Sequence, residues 1–320
     1  MQFVRLEPDQ APNEGGSVFS SSGDLIRKGA FSPEEAKFGR STGHGARFLR
    51  STASGAALIA QSLFTAFFPS DCRLCSTPLT NISRLPVCPS CLLAMIPLAG
   101  STCEICGERL DPNPVEENNQ LCPACQESRP HFVKAAAYGA YDGELRELIH
   151  LLKYEQVEPA AGVLGQMLAH AIQKLGPIAD SILVVPVPLY RSKRRERGFN
   201  QAELIARAAL KGAALRCELR PDALERTRPT VSQIGLTRAQ RIENIRGAFR
   251  VPHLNRVAGR EVLVVDDVLT TGTTASECAR VLRKAGAETV LVATVARTLK
   301  ESGFEGTKIQ PQVASIAKAS

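Results

Sequence analysis

The run Glu261-Val-Leu-Val-Val-Asp266-Asp267-Val-Leu-Thr270-Thr271-Gly272-Thr273-Thr274-Ala275 sets the character of the whole chain. Residues 262–265 are β-branched or leucine, the composition of a strand buried on both faces, as in a parallel sheet. Two adjacent carboxylates stand at its carboxyl end. A loop of threonines around one glycine follows, and then Ala275, Cys278, Val281 and Leu282 recur on one helical face. The backbone N–H groups of Thr270 to Thr274 can point at a phosphate, helped by the helix N-terminus and the threonine hydroxyls. Gly272 permits a close approach that a side chain would block. Asp266 and Asp267 can accept hydrogen bonds from vicinal sugar hydroxyls or hold Mg2+ beside them.

This run closely resembles the phosphoribosyl pyrophosphate (PRPP) motif of type I phosphoribosyltransferases. No G-x-x-x-x-G-K-[ST] occurs in the chain, which turns the reading from ATP toward a sugar phosphate.

The 320 residues suffice for one α/β domain and something smaller, and 44% hydrophobic with 22% charged residues fits a soluble globular protein. The absence of Trp and the 5% aromatic content argue against a stacking platform for single-stranded nucleic acid. The net charge of +7 is concentrated: residues 191–250 hold 15 Lys and Arg against 6 Asp and Glu. Such a surface takes an anionic partner or is simply solvated.

Eight of the ten cysteines form four C-x-x-C pairs: Cys72/Cys75, Cys88/Cys91, Cys103/Cys106 and Cys122/Cys125. Residues 1–50 are polar and mixed in charge, so no cleavable signal peptide is expected, and the cysteines read as metal ligands in a reducing, cytoplasmic compartment. Each pair can form a knuckle, and two knuckles complete a tetrahedral site for structural Zn2+. Pairing in sequence order is the simplest arrangement, with a crossed one as the alternative. A redox C-x-x-C is the competing reading, without a thioredoxin-like context to support it. Cys217 and Cys278 read as buried apolar residues.

Taken in order, residues 1–52 have no sustained period and are expected to be disordered. Residues 53–70 form a short apolar helix, too short and too polar for a membrane span. A double zinc ribbon occupies 71–131, and serine at Cys72 is expected to unfold it while leaving the following domain folded. That domain covers 132–298: a strand over 133–141, a helix ending near Lys153-Tyr154, a second helix over 159–175 and a buried strand over 182–188. A basic run then precedes a helix from Gln201, and 215–219 is another strand. Residues 224–249 read as a long mobile loop with a helical part. The motif strand, its helix and a strand over 289–296 close the domain, and 299–320 is a tail. Alternating strands and helices imply an α/β fold with a Rossmann-like parallel sheet, its ligand crevice at the strands' carboxyl ends.

Phosphoribosyl transfer displaces diphosphate from the anomeric carbon, so the leaving group, the ribose diol and the 5′-phosphate all need holding. Pro186, Val187, Pro188 and Arg197 fit the diphosphate loop. The mobile loop offers Arg228, Gln233, Arg238 and Arg241 for closure over the site. Mg2+ would accompany PRPP at Asp266 and Asp267, the candidate catalytic pair.

The combination resembles the ComF family of competence-associated proteins, which carry an N-terminal double zinc ribbon and a phosphoribosyltransferase domain. The four C-x-x-C pairs carry the resemblance, with Leu152-Lys153-Tyr154, Val185-Pro-Val-Pro188, Arg197-Gly-Phe-Asn-Gln201, the PRPP run, and the set Gln233, Arg241, Asn244, Ala248 and Phe249. It implies a protein that binds PRPP or a nucleotide and is associated with DNA uptake, transferring phosphoribosyl to a base or amine acceptor. The alternative is a non-enzymatic nucleotide sensor that contacts single-stranded DNA or a DNA-uptake helicase. The long leading extension and Glu155-Gln156, where a glycine is more usual, depart from the pattern.

Overall fold

The computed structural model of this chain describes residues 70–79, 83–110, 120–179, 181–212, 217–231, 235 and 237–299. The expectations for 1–52, for the apolar run and for the tail after 299 lie outside the described residues. The strands are β1 (Lys134–Ala140), β2 (Leu183–Pro186), β3 (Glu218–Leu219), β4 (Glu225–Arg226), β5 (Phe249–Arg250), β6 (Glu261–Leu269) and β7 (Thr289–Arg297). The helices are α1 (Pro89–Ala94), α2 (Pro123–Glu127), α3 (Gly143–Tyr154), α4 (Ala160–Gln173), α5 (Arg191–Arg197), α6 (Gln201–Gly212), α7 (Arg238–Ile245) and α8 (Thr273–Lys284).

Five strands form one parallel sheet in the order β1-β7-β6-β2-β3. Its two longest strands, β6 and β7, sit at or next to its centre and are buried along almost their whole length, because helices cover both faces. On one face Leu263 and Val265 pack with Leu148 and Leu152 of α3, Leu164 and Leu168 of α4, and Ile205 of α6. On the other Val262 and Val264 pack with Cys278 and Leu282 of α8 and with Ile245 and Phe249. Cys278 is therefore a core residue, as the sequence suggests.

Three expectations change. The strand β6 runs through the acidic pair to Leu269, so Asp266 and Asp267 lie within it, not at its carboxyl end, and point to opposite faces. The basic run is a helix, not a loop: α5 begins after extended Tyr190 and is stopped by Gly198 at φ 82°, where a side chain would be strained. Within 224–249, β4 pairs antiparallel with β5 and α7 opens with a Thr237–Gln240 capping box. The described part of this segment is folded, and Asn244 pins it: its amide donates to Val231 O (3.0 Å) and accepts from Val231 N (3.1 Å).

The cysteine segment is a twofold structural repeat. An Asp71–Pro78 bridge in the first half matches a Thr102–Arg109 bridge in the second. Cys72 N donates to Thr77 O (2.8 Å) as Cys103 N does to Glu108 O (2.7 Å). Ser76 at φ 59° occupies the turn position that Gly107 fills at φ 68°. Glycine is required only in the second copy, because a Cβ on Gly107 would lie 3.0 Å from Ala135 O of the sheet.

The two ribbons are joined to the domain rather than tethered beside it. Cys72, Cys88, Cys91 and Met95 belong to the same core as α3 and α4. Ala135 N donates to Ile105 O (2.7 Å), and Leu98 N to Tyr138 O (2.6 Å). A ribbon that unfolds alone, as expected for serine at Cys72, would leave this shared core open.

Candidate functional site

The threonine loop follows β6 directly. Gly272 takes φ 76° at the start of α8, and the Thr271 and Thr273 hydroxyls are 2.7 Å apart. No side chain caps the start of α8. Phe132 packs on the loop, its ring 3.8 Å from where a Gly272 Cβ would stand. His131 N donates to Ser276 Oγ at 3.1 Å. The connection between ribbon and domain thus lies on the loop.

Beside it the acidic pair divides. Asp266 keeps partial exposure and its Oδ1 accepts from Asp267 N (2.9 Å). Removal of its surroundings from water, with the adjacent Asp267 charge second, pushes its pKa up to about 8. Asp267 is 6% exposed, and its Oδ2 lies 2.6 Å from Lys153 Nζ, itself 15% exposed. Burial acts against the Lys153 charge, but Asp267 and then Asp266 outweigh it and hold the pKa above the usual lysine value. On the opposite face Arg226 lies within electrostatic reach of Asp266, over the Phe249 ring at 5.6 Å.

Pro186, Val187 and Pro188 are buried at the end of β2 and are held stiffly. Val187 N donates to Val265 O of β6 (2.8 Å), and Asn200 Nδ2 donates to Val187 O (3.0 Å). Arg197 lies over the Tyr154 ring at 5.6 Å and donates to Gln201 Oε1 (2.5 Å). The structure therefore brings together Asp266, Asp267, the threonine loop, residues 186–188 and Arg197 at one sheet edge. The flap residues are not brought in: Arg228 donates to Arg246 O (2.6 Å), Gln233 lies outside the described residues, and the Arg238 side chain is not described. Arg241 sits on α7, whose Ile242 and Ile245 line the cavity beside the threonine loop.

Sequence reasoning missed Lys153 and Asn200 as site residues. Both stand inside runs quoted for family resemblance, Leu152-Lys153-Tyr154 and Arg197 to Gln201, but nothing in the linear order shows what they touch.

Two cysteine tetrads form, Cys72/Cys75/Cys88/Cys91 and Cys103/Cys106/Cys122/Cys125, each with its sulfurs within 4.8 Å of one another. The Cys72–Cys91, Cys75–Cys88 and Cys106–Cys122 separations are 3.9, 3.6 and 3.5 Å. Four sulfurs bonded to zinc at about 2.3 Å need edges of roughly 3.8 Å, so the donor sets fit structural Zn2+ with no open position. The pairing follows sequence order. The second tetrad borders the candidate site: Cys106, Cys122 and Cys125 line a cavity of about 650 Å³ together with Thr270 to Thr273, Arg246 and Arg280.

A parallel α/β sheet with this loop and acidic pair, preceded by two four-cysteine knuckle sites, defines a class: a double zinc ribbon joined to a phosphoribosyltransferase-type domain. The comparisons agree. Residues 63–126 match the Double zinc ribbon domain family and 215–308 the Phosphoribosyl transferase domain family. DNA utilization protein YhgH of Escherichia coli K12 is 32% identical over 236 residues, 72% of this chain and 98% of the relative. Competence protein F of Haemophilus influenzae is 29% identical over 237 residues, covering 72% and 98%, and Competence protein ComFC of Bacillus subtilis 24% over 207, covering 62% and 79%. The chain belongs to the ComF/YhgH family. Among the described residues, no helix is long and apolar enough to cross a membrane.

Proposed function

We propose that this protein binds PRPP with Mg2+ in the cytoplasm and transfers the phosphoribosyl group to a base or amine acceptor, in a pathway that uses or takes up DNA. The single observation that carries the reading is the convergence of the threonine loop, the acidic pair and the braced Pro186–Pro188 turn at one sheet edge. In transfer, the bond from the anomeric carbon to diphosphate breaks and its electron pair leaves with the diphosphate oxygen. The acceptor nitrogen bonds to the same carbon and gives up a proton. The loop N–H groups hold the 5′-phosphate, and Asp266 accepts from the ribose hydroxyls. Hard carboxylate oxygens of the pair suit Mg2+, which when bound neutralises charge on the departing diphosphate. The second ribbon, with Phe132 on the loop, supplies the wall that sheds water on that side.

Calorimetric titration with PRPP and Mg2+ is expected to show saturable binding that Asp266→Asn with Asp267→Asn abolishes. Undiminished binding by the double variant would sink the site assignment. A product screen across purine, pyrimidine and orotate acceptors then tests turnover.

The alternative, a nucleotide-sensing component that contacts single-stranded DNA or a DNA-uptake helicase, draws on α5. Arg191, Lys193, Arg194 and Arg195 are all exposed on this one short helix. Phosphate contacts make affinity fall linearly in log–log terms with salt, by about 0.7 per neutralised phosphate on a single strand. Replacing those four residues with Ala is expected to remove single-stranded DNA binding at low salt. An unchanged affinity and salt slope would assign the basic helix no such role.

A further inference from the structure

We infer that Lys153 is the cation that receives the diphosphate end of the ligand, and that Asp267 is its positioning residue rather than a sugar ligand. The inference rests on the PRPP reading above and assigns the two carboxylates of the motif different work.

Asp267 is 6% exposed, too enclosed for a sugar hydroxyl to reach without opening the structure. Its Oδ2 has no hydrogen-bond partner beyond the Lys153 ammonium at 2.6 Å. Asp266, by contrast, is partly exposed and faces the other side of the sheet, toward Arg226 and Cys278. Adjacent strand residues point to opposite faces, so one carboxylate serves each side.

Lys153 stands in the last turn of α3, where the helix end favours a cation. The pair is asymmetric in access: the Lys153 side chain is 15% exposed against 6% for Asp267, and its ammonium carries donors that one carboxylate oxygen does not exhaust. Tyr141 is close enough to interact electrostatically with both members of the pair, and its hydroxyl meets His150 Nε2 at 2.8 Å. The next residue, Tyr154, carries Arg197 over its ring at 5.6 Å. Arg197 thus lies on the residue that follows Lys153, and Asp267, the partner of Lys153, stands near the carboxyl end of β6, which pairs with β2 at the sheet edge that carries Pro186–Pro188. A buried carboxylate holding a lysine at such an edge keeps the ammonium ordered before the ligand arrives, so no side-chain entropy is lost on binding.

Calorimetry with three probes separates the roles: inorganic diphosphate with Mg2+, PRPP with Mg2+, and ribose 5-phosphate, which lacks a diphosphate. Lys153→Met is expected to weaken diphosphate and PRPP about tenfold to a hundredfold, the range of coupling between contacting groups, and to leave ribose 5-phosphate within about twofold. Lys153→Arg should recover most of the loss. Asp267→Asn should follow the Lys153→Met pattern, whereas Asp266→Asn should weaken ribose 5-phosphate. If Lys153→Met does not fold, Lys153→Met with Asp267→Asn removes both charges together and is expected to fold while still failing to bind diphosphate. Wild-type affinity for diphosphate in Lys153→Met or in Lys153→Met with Asp267→Asn, or an equal loss for ribose 5-phosphate, overturns the inference and leaves the PRPP reading standing. Absence of PRPP and ribose 5-phosphate binding by the wild-type protein overturns both.

Discussion

Removal of zinc is expected to unfold the whole described structure in one transition, the sheet domain together with the ribbons. Elemental analysis of protein purified without chelator should give two zinc ions per chain. Each tetrad gathers four sulfurs within 4.8 Å, and crowded, partly buried thiols do not titrate alike. Burial drives Cys91 and Cys125 well above the ordinary thiol value, while hydrogen bonding with Thr77 brings Cys75 down to about 6. A metal that takes four thiolates resolves that mismatch, and in small zinc modules its binding supplies on the order of 10 kcal/mol of folding free energy. That is as much as the whole stability of an ordinary domain, about 5–15 kcal/mol. Because Cys72, Cys88 and Cys91 share a core with Leu148, Leu152 and Leu164, the loss does not stay in the ribbon. Thermal unfolding followed by circular dichroism, with and without chelator, is the measurement. Two separated transitions, the upper one indifferent to chelator, would show that the shared core contributes little. One zinc per chain would assign half of the eight cysteines another role.

The next largest effect is expected at Arg297. Its side chain is 3% exposed, and its guanidinium pairs with Glu108 Oε2 at 2.6 Å and also donates to the Cys106 carbonyl. The last strand of the sheet is thereby fixed to the turn of the second ribbon. Removing one member of a buried pair leaves an uncompensated charge and is destabilising by about 3–5 kcal/mol. Arg297→Met should therefore lower the midpoint of thermal unfolding by roughly 10 °C for a domain of this size. Combining it with Glu108→Leu should recover much of the loss, because an apolar pair of similar volume replaces the ions. Recovery stays incomplete, since the Cys106 carbonyl still lacks its donor. A single variant within about 1 kcal/mol of wild type would show that water reaches Glu108 and that the pair is not sealed.

How far the linear order carries the reading follows from what kind of interaction holds each part. The strand 262–265, its threonine loop and the helix after it are local features, and buried β-branched runs, small-residue turns and helical spacing are local signals. They stand in the structure as β6 and α8. The four C-x-x-C pairs are equally local as knuckles, which is why their chemistry was plain before their pairing was. The helix at 191–197 was hidden, because its stop is a left-handed Gly198 and its face carries no apolar stripe. The flap at 224–250 was hidden for a related reason: its order comes from Asn244 against Val231 and from β4 pairing with β5 across more than twenty positions.

By itself, then, the order of residues determined the parallel sheet, the threonine loop at its edge and the four cysteine knuckles, all of which are written in spacing and side-chain type. Tertiary structure alone decided that the acidic pair splits across the sheet, with Asp267 closed onto Lys153 from a helix more than one hundred residues earlier. It alone decided that the second ribbon borders one cavity with the threonine loop and is pinned by Arg297. Burying a charge is favourable only beside its partner, and which partner arrives is settled by how the helices cover the sheet.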